Sequence, residues 1–579
     1  MDGNHFLSKT LKIDQTMNLP NNKILTIKAD TGARPVINGG IEVKNWQPVT
    51  VNGNAVYKAN VSGLKYGRNF YVNEEPMVLA STDQENRLAW TWTTQGIYDK
   101  INLTSYNLSN IVNVSQLEAV WHCEWKTFIK RAGSITGTNT INMRQPDFDW
   151  AITPATVGNI DNINPSMWNW FPDPRNPKFT LYLQNDVSLI DVPGEFCYNE
   201  AEKAIYYYPK HGEDPNTKEC IVSKLDTVIS MTGTPSNKLT NVTFDGVVIG
   251  YGGFDIIGEH GMATEQAQFY FAGPTTEAQS GEDNTLMTIP DNYYKGNVTV
   301  NMAKNINFKN CDIINTGKSI HFDEGVEGGS VVGCYFKDTG DSAVVVGNGW
   351  SAYAEGAFIT SDITISNNVI RRIGQVHHSV PAISSYFSRR ATITHNDIYD
   401  IPATGISVGW GWYVCLGSDY SQDNTIEYNK IGKYMQRIRD GGGIYTLGQS
   451  PNSTVKYNYM FDQKEAYAGL YHDEGSSGYT TEWNVVDNVE HRGTDTSFGW
   501  LDLNGRPIAN GSDRMTVYDL IIRNNFTTND RIVNRGDPYT VNLTPATIIN
   551  ADKAQWPQAA ADIANGSGVE AQYNALLSK

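Results

Sequence analysis

Four acidic residues in the second half of the chain stand beside short strand-like stretches that each begin with glycine. They are Asp440, Asp473, Glu474 and Asp502. Hydrolysis of a glycosidic bond needs two carboxyl groups, about 5–5.5 Å apart for retention of configuration and about 6.5–9.5 Å apart for inversion. Stacked β-strands lie about 4.8 Å apart, so carboxyl groups on neighbouring strands would meet the first condition. The acidic residues therefore predict hydrolytic chemistry on a sugar.

A fifth acidic residue, Asp495, lies seven positions before Asp502, in the turn that leads into the same strand. From there it could fold back beside Asp502. Side chains alternate along a strand, however, and this alternation places Asp473 and Asp502 on opposite sides of their strands. Both reach one groove only if a strand ends or the register slips between them. Asp283 and Asp291 have a similar spacing but lie in a loop-like segment away from the groove.

Aromatic and polar side chains surround these acidic positions. Aromatic faces stack on the C–H faces of pyranose rings, so tryptophan and tyrosine are candidate sugar platforms; packing beneath another domain is the alternative. Asp473 and Glu474 also allow a purely structural interpretation, because carboxylates in turns accept hydrogen bonds from backbone N–H groups. The predicted substrate-binding set is Trp410, Trp412, Asp440, Tyr471, His472, Asp473, Glu474 and Trp500.

The elements that must position these residues follow from a repeat. Nine short units share an apolar residue (once Thr), two variable residues, then Asn, Cys or Asp, one variable residue and an apolar residue. They are centred on Asp245, Cys311, Cys334, Asn368, Asn396, Asn429, Asn458, Asn484 and Asn524. Steps of about 23 to 34 residues between Cys311 and Asn484 are typical of a solenoid, and apolar residues at every second position indicate strands. We predict a right-handed parallel β-helix in which each asparagine tolerates a left-handed turn.

A second ladder of strands begins on small residues: Ala343, Ala382, Gly405, Gly443, Gly469 and Gly499. Aligned on these, the next column is an apolar inner wall that runs from Val344 to Trp500. The residues beyond this wall change along the stack from Val and Ser to Tyr445, Tyr471 and the acidic residues. We therefore expect the functional groove on the later coils.

The bulk properties exclude several classes of partner. A net charge of −17 and a pI near 5.1 argue against nucleic acid or an anionic membrane surface. The cysteines have no metal-ligand spacing, and Cys311 and Cys334, which share one repeat position, are predicted to be buried free thiols. No stretch has the apolar length of a membrane span. The start of the sequence lacks a signal-peptide pattern, as a chain trimmed of its signal also would.

The repeat divides the chain into four parts. Residues 1–40 are predicted to form the first strands or a cap. The repeat is absent from 41–236, where alternating strands separated by Pro and Asp turns predict an inserted β-sandwich-like domain. The β-helix itself is predicted for 237–549. The alanine-rich tail, 550–579, is predicted to form a short helix that caps the open edge of the last coil.

Several motifs resemble those of bacterial right-handed parallel β-helix glycoside hydrolases. They are Gly39-Gly-Ile-Glu-Val-Lys-Asn-Trp46, Phe70-Tyr-Val-Asn73, Pro193-Gly-Glu-Phe with Tyr206-Tyr-Tyr-Pro209, Asp440-Gly-Gly-Gly-Ile-Tyr-Thr-Leu-Gly448, His472-Asp-Glu-Gly-Ser-Ser-Gly478 and Trp556-Pro with Tyr573-Asn-Ala-Leu-Leu577. Families 120, 136 and 141 share this architecture and act as β-xylosidases, lacto-N-biosidases, and fucosidases or xylanases. The chain is most similar to family 136, where two aspartates seven apart serve as acid/base and nucleophile. This resemblance implies Asp495 as acid/base and Asp502 as nucleophile.

The resemblance implies a retaining glycoside hydrolase that acts from the end of a short neutral oligosaccharide. The leading expectation is a lacto-N-biosidase that releases lacto-N-biose from lacto-N-tetraose-type glycans. A β-xylosidase or α-L-fucosidase of the same architecture, a polysaccharide lyase and a non-catalytic glycan-binding β-helix are the alternatives. No cofactor or metal is expected; a structural calcium ion would need an oxygen cluster that the sequence does not single out. A dedicated folding chaperone and a location outside or on the surface of a bacterium are further expectations.

Overall fold

The computed structural model of the chain describes most of its residues. The described ranges are 2–84, 88–94, 97–122, 125–148, 180–258, 260–266, 269–271, 294–348, 355–410, 421–463, 466–489, 499–505, 516–534 and 539–579. None of the helices in these ranges is long and apolar enough to cross a membrane.

Three long parallel sheets wind into a β-helix, which confirms the predicted fold. Each coil passes from sheet 1 through sheet 2 to sheet 3. The described strands of sheet 1 are Leu11–Asp14, Ile229–Thr232, Val298–Asn301, Ile320–Phe322, Val344–Val346, Ile383–Ser385, Ile406–Val408, Gly442–Thr446, Ala468–His472, Gly499–Leu503 and Ile532–Asn534.

Sheets 2 and 3 complete the coils. Sheet 2 consists of Leu25–Lys28, Leu239–Asp245, Ala303–Lys309, Glu327–Val332, Thr360–Ser366, Ser388–Arg389, Thr392–Thr394, Thr425–Glu427, Gln449–Lys456, Ser477–Glu482, Tyr518–Arg523 and Tyr539–Leu543. Sheet 3 consists of Gly3–Phe6, Pro35–Asn38, Val248–Gly250, Asp312–Ile314, Tyr335–Lys337, Val369–Arg371, Asp397–Tyr399, Lys430–Gly432, Tyr459–Gln463, Val485–Val489, Phe526–Thr527 and Thr547–Ile548. Residues 2–39 thus form the first strands of the three sheets.

The asparagine ladder lies in the turns between sheets 2 and 3. The side-chain oxygen of Asn429 accepts from the backbone N–H of Asn396 at 3.1 Å, and the oxygen of Asn458 accepts from that of Asn429 at 2.9 Å. Each side-chain amide also donates to a carbonyl of an earlier coil, as Asn429 Nδ2 does to Ile393 at 2.9 Å. Every buried polar atom of these side chains is therefore used to hold one coil on the next.

Three details of the predicted ladder are corrected. The left-handed residue is the one before each ladder position, for example Tyr428 with φ 54°, and not the asparagine itself. At the last coil the ladder residue is Asn525, whose oxygen accepts from Asn484, and not Asn524. At the first coil Asp245 stacks on Lys309, two residues before the ladder position of Cys311. Cys311 and Cys334 are buried free thiols, as predicted.

The interior of the helix explains the column of small residues. A methyl group on Gly443 would meet Met460 at 2.7 Å, and one on Gly469 would meet Val486 at 2.4 Å. Side chains of sheet 3 therefore occupy the space beside these glycines. At the last full coil of sheet 1 this column is occupied by Trp500 instead, which is 1% exposed and belongs to the interior core.

The inserted domain consists of three sheets that the chain enters and leaves at one point. Gly40 pairs with Ser223 in a sheet of Gly40–Glu42, Cys220–Ser223, Phe70–Val72 and Glu75–Pro76. The second sheet is Val78–Leu79, Glu195–Asn199, Ala204–Tyr207, Asn54–Asn60 and Gln47–Val51. The third is Trp90–Thr94, Ile97–Leu103, Thr140–Met143, Thr127–Thr136, Glu118–His122 and Thr180–Gln184, extended by Met262–Gln266 and Phe269–Phe271.

The bounds of the insertion differ from those expected. The β-helix resumes at Ile229–Thr232, which pairs with Leu11–Asp14, so the predicted range 41–236 includes a helix strand. A later excursion from the helix also returns to the insertion, where Met262 pairs with Ile129. Separate buried clusters lie on the two faces of the second sheet, which is consistent with a layered sandwich.

The C-terminal tail is a lateral strap and not the predicted cap. It contains helix α1 (Gln558–Gly566) and a 3₁₀ helix, Ala571–Ser578. Trp556 and Ile563 pack on the late strands of sheet 3. The 3₁₀ helix then packs against Tyr335 through Leu576, and Lys579 pairs with Asp312. The tail therefore runs back along the outside of sheet 3.

Candidate functional site

The candidate site lies on the outer face of sheet 1, on its late coils. Asp502 stacks on Tyr471, and Tyr471 stacks on Tyr445, so the three side chains form one outward column. The column forms because Gly499 pairs with Ala468 and not with Gly469. This register is one residue away from the predicted alignment, and it places Asp502 on the same side as the two tyrosines. The predicted conflict between Asp473 and Asp502 is thereby removed.

Asp473 is held from two sides at the end of its strand. Its Oδ2 accepts from the hydroxyl of Tyr445 at 2.5 Å, and its Oδ1 accepts from Asn504 Nδ2 at 2.6 Å. The same amide group of Asn504 donates to the hydroxyl of Tyr471 at 3.1 Å. Because Asn504 is the residue stacked on Asp473 one coil later, the parallel register itself produces this contact. The carboxylate is therefore fixed in one orientation.

The acidic residues converge on Tyr445. Burial and the nearby carboxylates of Asp473, Asp440 and Glu474 raise the pKa of the Tyr445 hydroxyl well above its ordinary value. The hydroxyl is therefore a donor at any physiological pH, and it donates to Asp473. Asp440 reaches this place because its turn leads into the strand Gly442–Thr446. Such a concentration of carboxyl groups is typical of a functional site and rare in a purely structural one.

Aromatic rings form the floor around the column. The rings of Tyr445 and Tyr471 meet edge to face at 5.1 Å, and the ring of Tyr467 lies 6.2 Å from that of Tyr471. The guanidinium of Arg439 lies 5.4 Å from the centre of the Tyr467 ring. Tyr467 is half-buried, so one part of its ring is open to a ligand. The sequence pattern does not single out Tyr467, Arg439 or Asn504, although each lies within four residues of a predicted site residue.

Trp410 packs beneath the site. It is 3% exposed and meets Tyr386 edge to face at 5.5 Å, in a buried cluster that also contains Tyr445 and Tyr471. This placement matches packing, the alternative considered for the aromatic residues. Trp410 therefore supports the two tyrosines from below.

Two predicted substrate-binding residues face the interior instead. His472 lies between Thr446 Oγ1, at 2.8 Å from Nδ1, and Thr481 Oγ1, at 3.0 Å from Nε2. Its burial lowers the pKa of the imidazole to about 4. Trp500 fills the core at the end of the small-residue column. Strand alternation points His472 away from the outer face, and the side chain of Trp500 lies in the interior core at the start of its strand, so neither reaches the outer face of sheet 1.

The remaining predicted residues lie outside the described part of the chain. These are Asp495, proposed as acid/base, and Trp412, as well as Asp283 and Asp291. Within the described residues, no group of three or more His, Cys, Asp or Glu side chains is arranged to hold a metal ion.

The outward side chains of sheet 1 are buried both at the site and on the coils before it. Asp473 is 6% exposed and Asp502 is fully buried. On the four preceding coils the outward positions are His321, Val345, Ser384 and Ser407, and all of them are buried. The outward side chains of these coils are thus covered to the same degree as Asp502 itself.

Comparison with known proteins supports the fold. No family model and no curated protein sequence matches the chain. A solved glycoside hydrolase structure is similar with a TM-score of 0.74 at 20% identity, over 99% of this chain and 91% of that one. XylC in complex with xylose has a TM-score of 0.44 at 13% identity, over 91% and 69%. The GH136 lacto-N-biosidase from Eubacterium ramulus has a TM-score of 0.30 at 12% identity, over 57% and 52%. The first likeness shows a shared fold over nearly the whole chain, including the insertion.

Proposed function

We propose that this protein is a glycoside hydrolase that acts on a neutral sugar. The observation that carries the proposal is the convergence of Asp440, Asp473 and Glu474 on Tyr445, with Asp502 in the same outward column. Carboxyl groups on stacked strands are separated by a distance that suits the retaining mechanism. The fold shared with a solved glycoside hydrolase is consistent with this chemistry.

The enclosed face of sheet 1 favours action at the end of a chain. The outward positions on the coils before the site, Val345, Ser384 and Ser407, are buried and offer no exposed side chain to further sugar units. We propose that the substrate extends from the site in the opposite direction. We therefore propose release of a terminal unit from a short oligosaccharide, and not cleavage within a polymer.

The proposed roles follow a retaining mechanism. The carboxylate of Asp502 attacks the anomeric carbon while the bond to the leaving oxygen breaks, and the acid/base residue gives its proton to that oxygen. Water then attacks the glycosyl-enzyme ester, gives its proton to the acid/base residue, and releases Asp502. By the family resemblance the acid/base is Asp495. Asp473 and Glu474, which lie beside Tyr445, are proposed to hold sugar hydroxyls.

The first substrate to test is lacto-N-tetraose, from which a lacto-N-biosidase would release lacto-N-biose. This choice rests on the resemblance of the aspartate pair to family 136. Aryl β-xylosides and aryl α-L-fucosides test the neighbouring families. A substrate of this kind is met outside the cell, and we propose an extracellular or cell-surface location in a bacterium.

The decisive experiment compares variants on substrates with different leaving groups. Asp502→Asn should reduce turnover by several orders of magnitude on all substrates, because the nucleophile is lost. Asp495→Ala should slow substrates with poor leaving groups far more than activated aryl glycosides, which need little protonation. Asp400→Asn is the matched control, since Asp400 is exposed in a turn between sheets 3 and 1 and should leave turnover unchanged.

Two outcomes would contradict the proposal. Near-normal turnover in Asp502→Asn, together with loss of turnover in Asp473→Asn or Asp440→Asn, would move the chemistry to the earlier coils. Turnover of a uronate polymer with formation of an unsaturated product, and none of any neutral glycoside, would make the protein a lyase.

A further inference from the structure

The inserted domain carries a cavity of its own, away from the acidic cluster. It has a volume of about 820 Å³ and lies at one end of the domain's second sheet. Its lining includes Ala55, Tyr57, Glu75, Tyr208, Lys210 and Glu213. A cavity of this size suits a ligand of several hundred daltons.

Two tyrosines provide aromatic surface in this cavity. Tyr57 and Tyr208 are both half-buried. Tyr57 packs on the core between the first and second sheets, and Tyr208 packs on the core between the second and third. Each ring is thus anchored on one side, while the remaining part is available to a ligand. An anchored ring loses little conformational freedom on binding, which favours it as a stacking platform.

The charges of the cavity are already paired within the protein. Lys210 pairs with Glu75. The carboxylate of Glu213 lies 3.4 Å from Lys218 Nζ and accepts from the hydroxyl of Tyr207 at 3.1 Å. An ionic ligand would have to break one of these ion pairs. A ligand with neutral hydroxyl groups can donate to the carboxylates and accept from the ammonium while the ion pairs stay intact. Paired charges beside aromatic rings therefore select a neutral, hydroxyl-rich molecule.

The cavity is joined to the β-helix by shared residues. Glu75 and Lys210 also line a smaller cleft of about 360 Å³, which extends to His378 and Arg437. Arg437 belongs to the segment that leads to Asp440 and the strand Gly442–Thr446. The two cavities thus share Glu75 and Lys210, and the smaller one reaches a residue three positions before Asp440.

We propose that the cavity formed by Tyr57, Glu75, Tyr208, Lys210 and Glu213 is a second binding site, specific for a neutral saccharide. The site binds sugar without chemistry, because its carboxylates are engaged in ion pairs. It holds part of a glycan while the acidic cluster on sheet 1 receives the terminal unit. Binding at this site does not depend on hydrolysis, so the inference stands or falls separately from the proposed function.

The test is calorimetric titration with lacto-N-tetraose and with xylotetraose, in the Asp502→Asn background so that sugar is not consumed. Tyr208→Ala removes a platform, and Ala55→Trp fills the exposed rim without removing any contact. Each is expected to weaken binding of the neutral tetrasaccharide by about tenfold or more. Tyr206→Ala is the matched control, because Tyr206 lies two residues before Tyr208 but outside the cavity, and its hydroxyl donates to Glu202. It should leave binding unchanged.

A second measurement separates this site from the acidic cluster. In the otherwise natural protein, Tyr208→Ala and Ala55→Trp should leave turnover of a small aryl glycoside unchanged, because such a substrate does not reach the insertion. Binding that is equal in both variants and in the Asp502→Asn parent would overturn the inference. So would tighter binding of trigalacturonate than of either neutral sugar. Saturable binding sensitive to Tyr208→Ala, in a protein with no hydrolytic activity, would uphold the second site and refute the proposed function.

Discussion

At the scale of single residues, the contacts of Asp473 indicate a role in binding the sugar and not in cleaving the glycosidic bond. Both of its oxygens are engaged, by Tyr445 and by Asn504. A carboxylate held in this way is suited to orient a sugar hydroxyl, while Asp502 lies one coil further along the column. We expect Asp473→Asn to raise KM by about tenfold, which corresponds to one lost charge-assisted hydrogen bond, with kcat nearly unchanged. Steady-state kinetics on an aryl glycoside measures both constants.

Asn504 provides the companion variant. Asn504→Ala removes the donor that fixes Asp473 but leaves the carboxylate in place, so KM should rise in the same direction and by a smaller factor. If Asp473→Asn instead abolishes kcat at an unchanged KM, Asp473 takes part in the chemical step.

His472 makes the stability of the protein depend on pH. Its pKa is about 4 in the folded protein because of burial, below the ordinary value of 6.5. Between pH 6.5 and 4 the unfolded chain therefore binds a proton at this residue that the folded chain does not bind. The free energy of unfolding consequently decreases as the pH falls from 6.5 to 4. The expected loss from this residue is about 3 kcal/mol. Above pH 6.5 the full contribution of His472 to the stability of the protein is present.

The measurement is the Tm of the natural protein and of His472→Gln at several pH values. Glutamine can still donate to and accept from the hydroxyls of Thr446 and Thr481, but it does not titrate. The natural protein should have the higher Tm at pH 7.5, and the difference should shrink toward pH 4. A difference that stays constant over this range would show that His472 does not titrate as described.

Strand patterns are enough to predict that Asp440, Asp473 and Glu474 lie near Tyr445, because each stands at an end of a repeated strand. They are not enough to place Asp502. Both Ala468 and Gly469 are small, and either can align with Gly499. The choice depends on whether Trp500 fits the interior beside Val486, which is a matter of core volume and not of residue type. The small-residue ladder already places Trp500 on the apolar inner wall, and in the structure it is a core residue.

At the scale of elements, the asparagine ladder offers a direct test of register. Asn525 accepts from the N–H and the side-chain amide of Asn484, and donates to Thr481 O at 3.1 Å. Asn525→Ala leaves these buried groups without partners and should cost about 3 kcal/mol. Asn524→Gly should be neutral or slightly stabilising, because Asn524 is exposed with φ 57° and glycine adopts that conformation freely. Thermal unfolding followed by circular dichroism compares the two.

The reverse order, with Asn524→Gly the more damaging variant, would restore the register predicted from the sequence. That prediction fails at the last coil because Asn524 and Asn525 are adjacent and Thr527 stands where the unit centred on Asn525 would have an apolar residue. It fails at the first coil because Asp245 precedes a glycine, Gly246, which takes the left-handed position. At Asn396, Asn429, Asn458 and Asn484 one asparagine stands alone, and there the pattern identifies the ladder residue correctly.

At the scale of the whole molecule, the tail holds coils that are distant in sequence. It packs apolar side chains, including Trp556, Ile563 and Leu576, against sheet 3. Each such side chain is worth about 1.5–3 kcal/mol when buried. Deletion of residues 551–579 should therefore lower the Tm markedly and expose an apolar stripe that binds a hydrophobic dye. Calorimetry and dye fluorescence measure these two effects.

Lys579→Ala is the control for this deletion. It removes the ion pair with Asp312 and the contact of the Lys579 ammonium with the ring of Tyr335, 5.7 Å from its centre. The lysine is exposed, and exposed ion pairs contribute about 0–1 kcal/mol. An equally small effect from the deletion and from Lys579→Ala would mean that the tail does not stabilise the coils.

The path of the tail could not be predicted from the sequence. Its composition indicates a helix, and a solenoid needs a cover for its open edge, so a cap is the natural expectation. The alternative depends on an apolar stripe outside sheet 3, formed by side chains such as Tyr335, Tyr459 and Phe526 from separate coils. Only the folded stack brings these residues into line. The return of Met262–Gln266 to the insertion is non-local in the same way.

The strap also affects the order in which the molecule is completed during synthesis. Coils can stack one after another as they leave the ribosome, because each needs only the coil before it. The stripe on sheet 3, however, stays uncovered until the tail itself has emerged, and Asp312 meets Lys579 only after all the coils between them have been made. A chain interrupted before the tail would thus resemble the folded protein in its coils and differ from it by an exposed apolar surface.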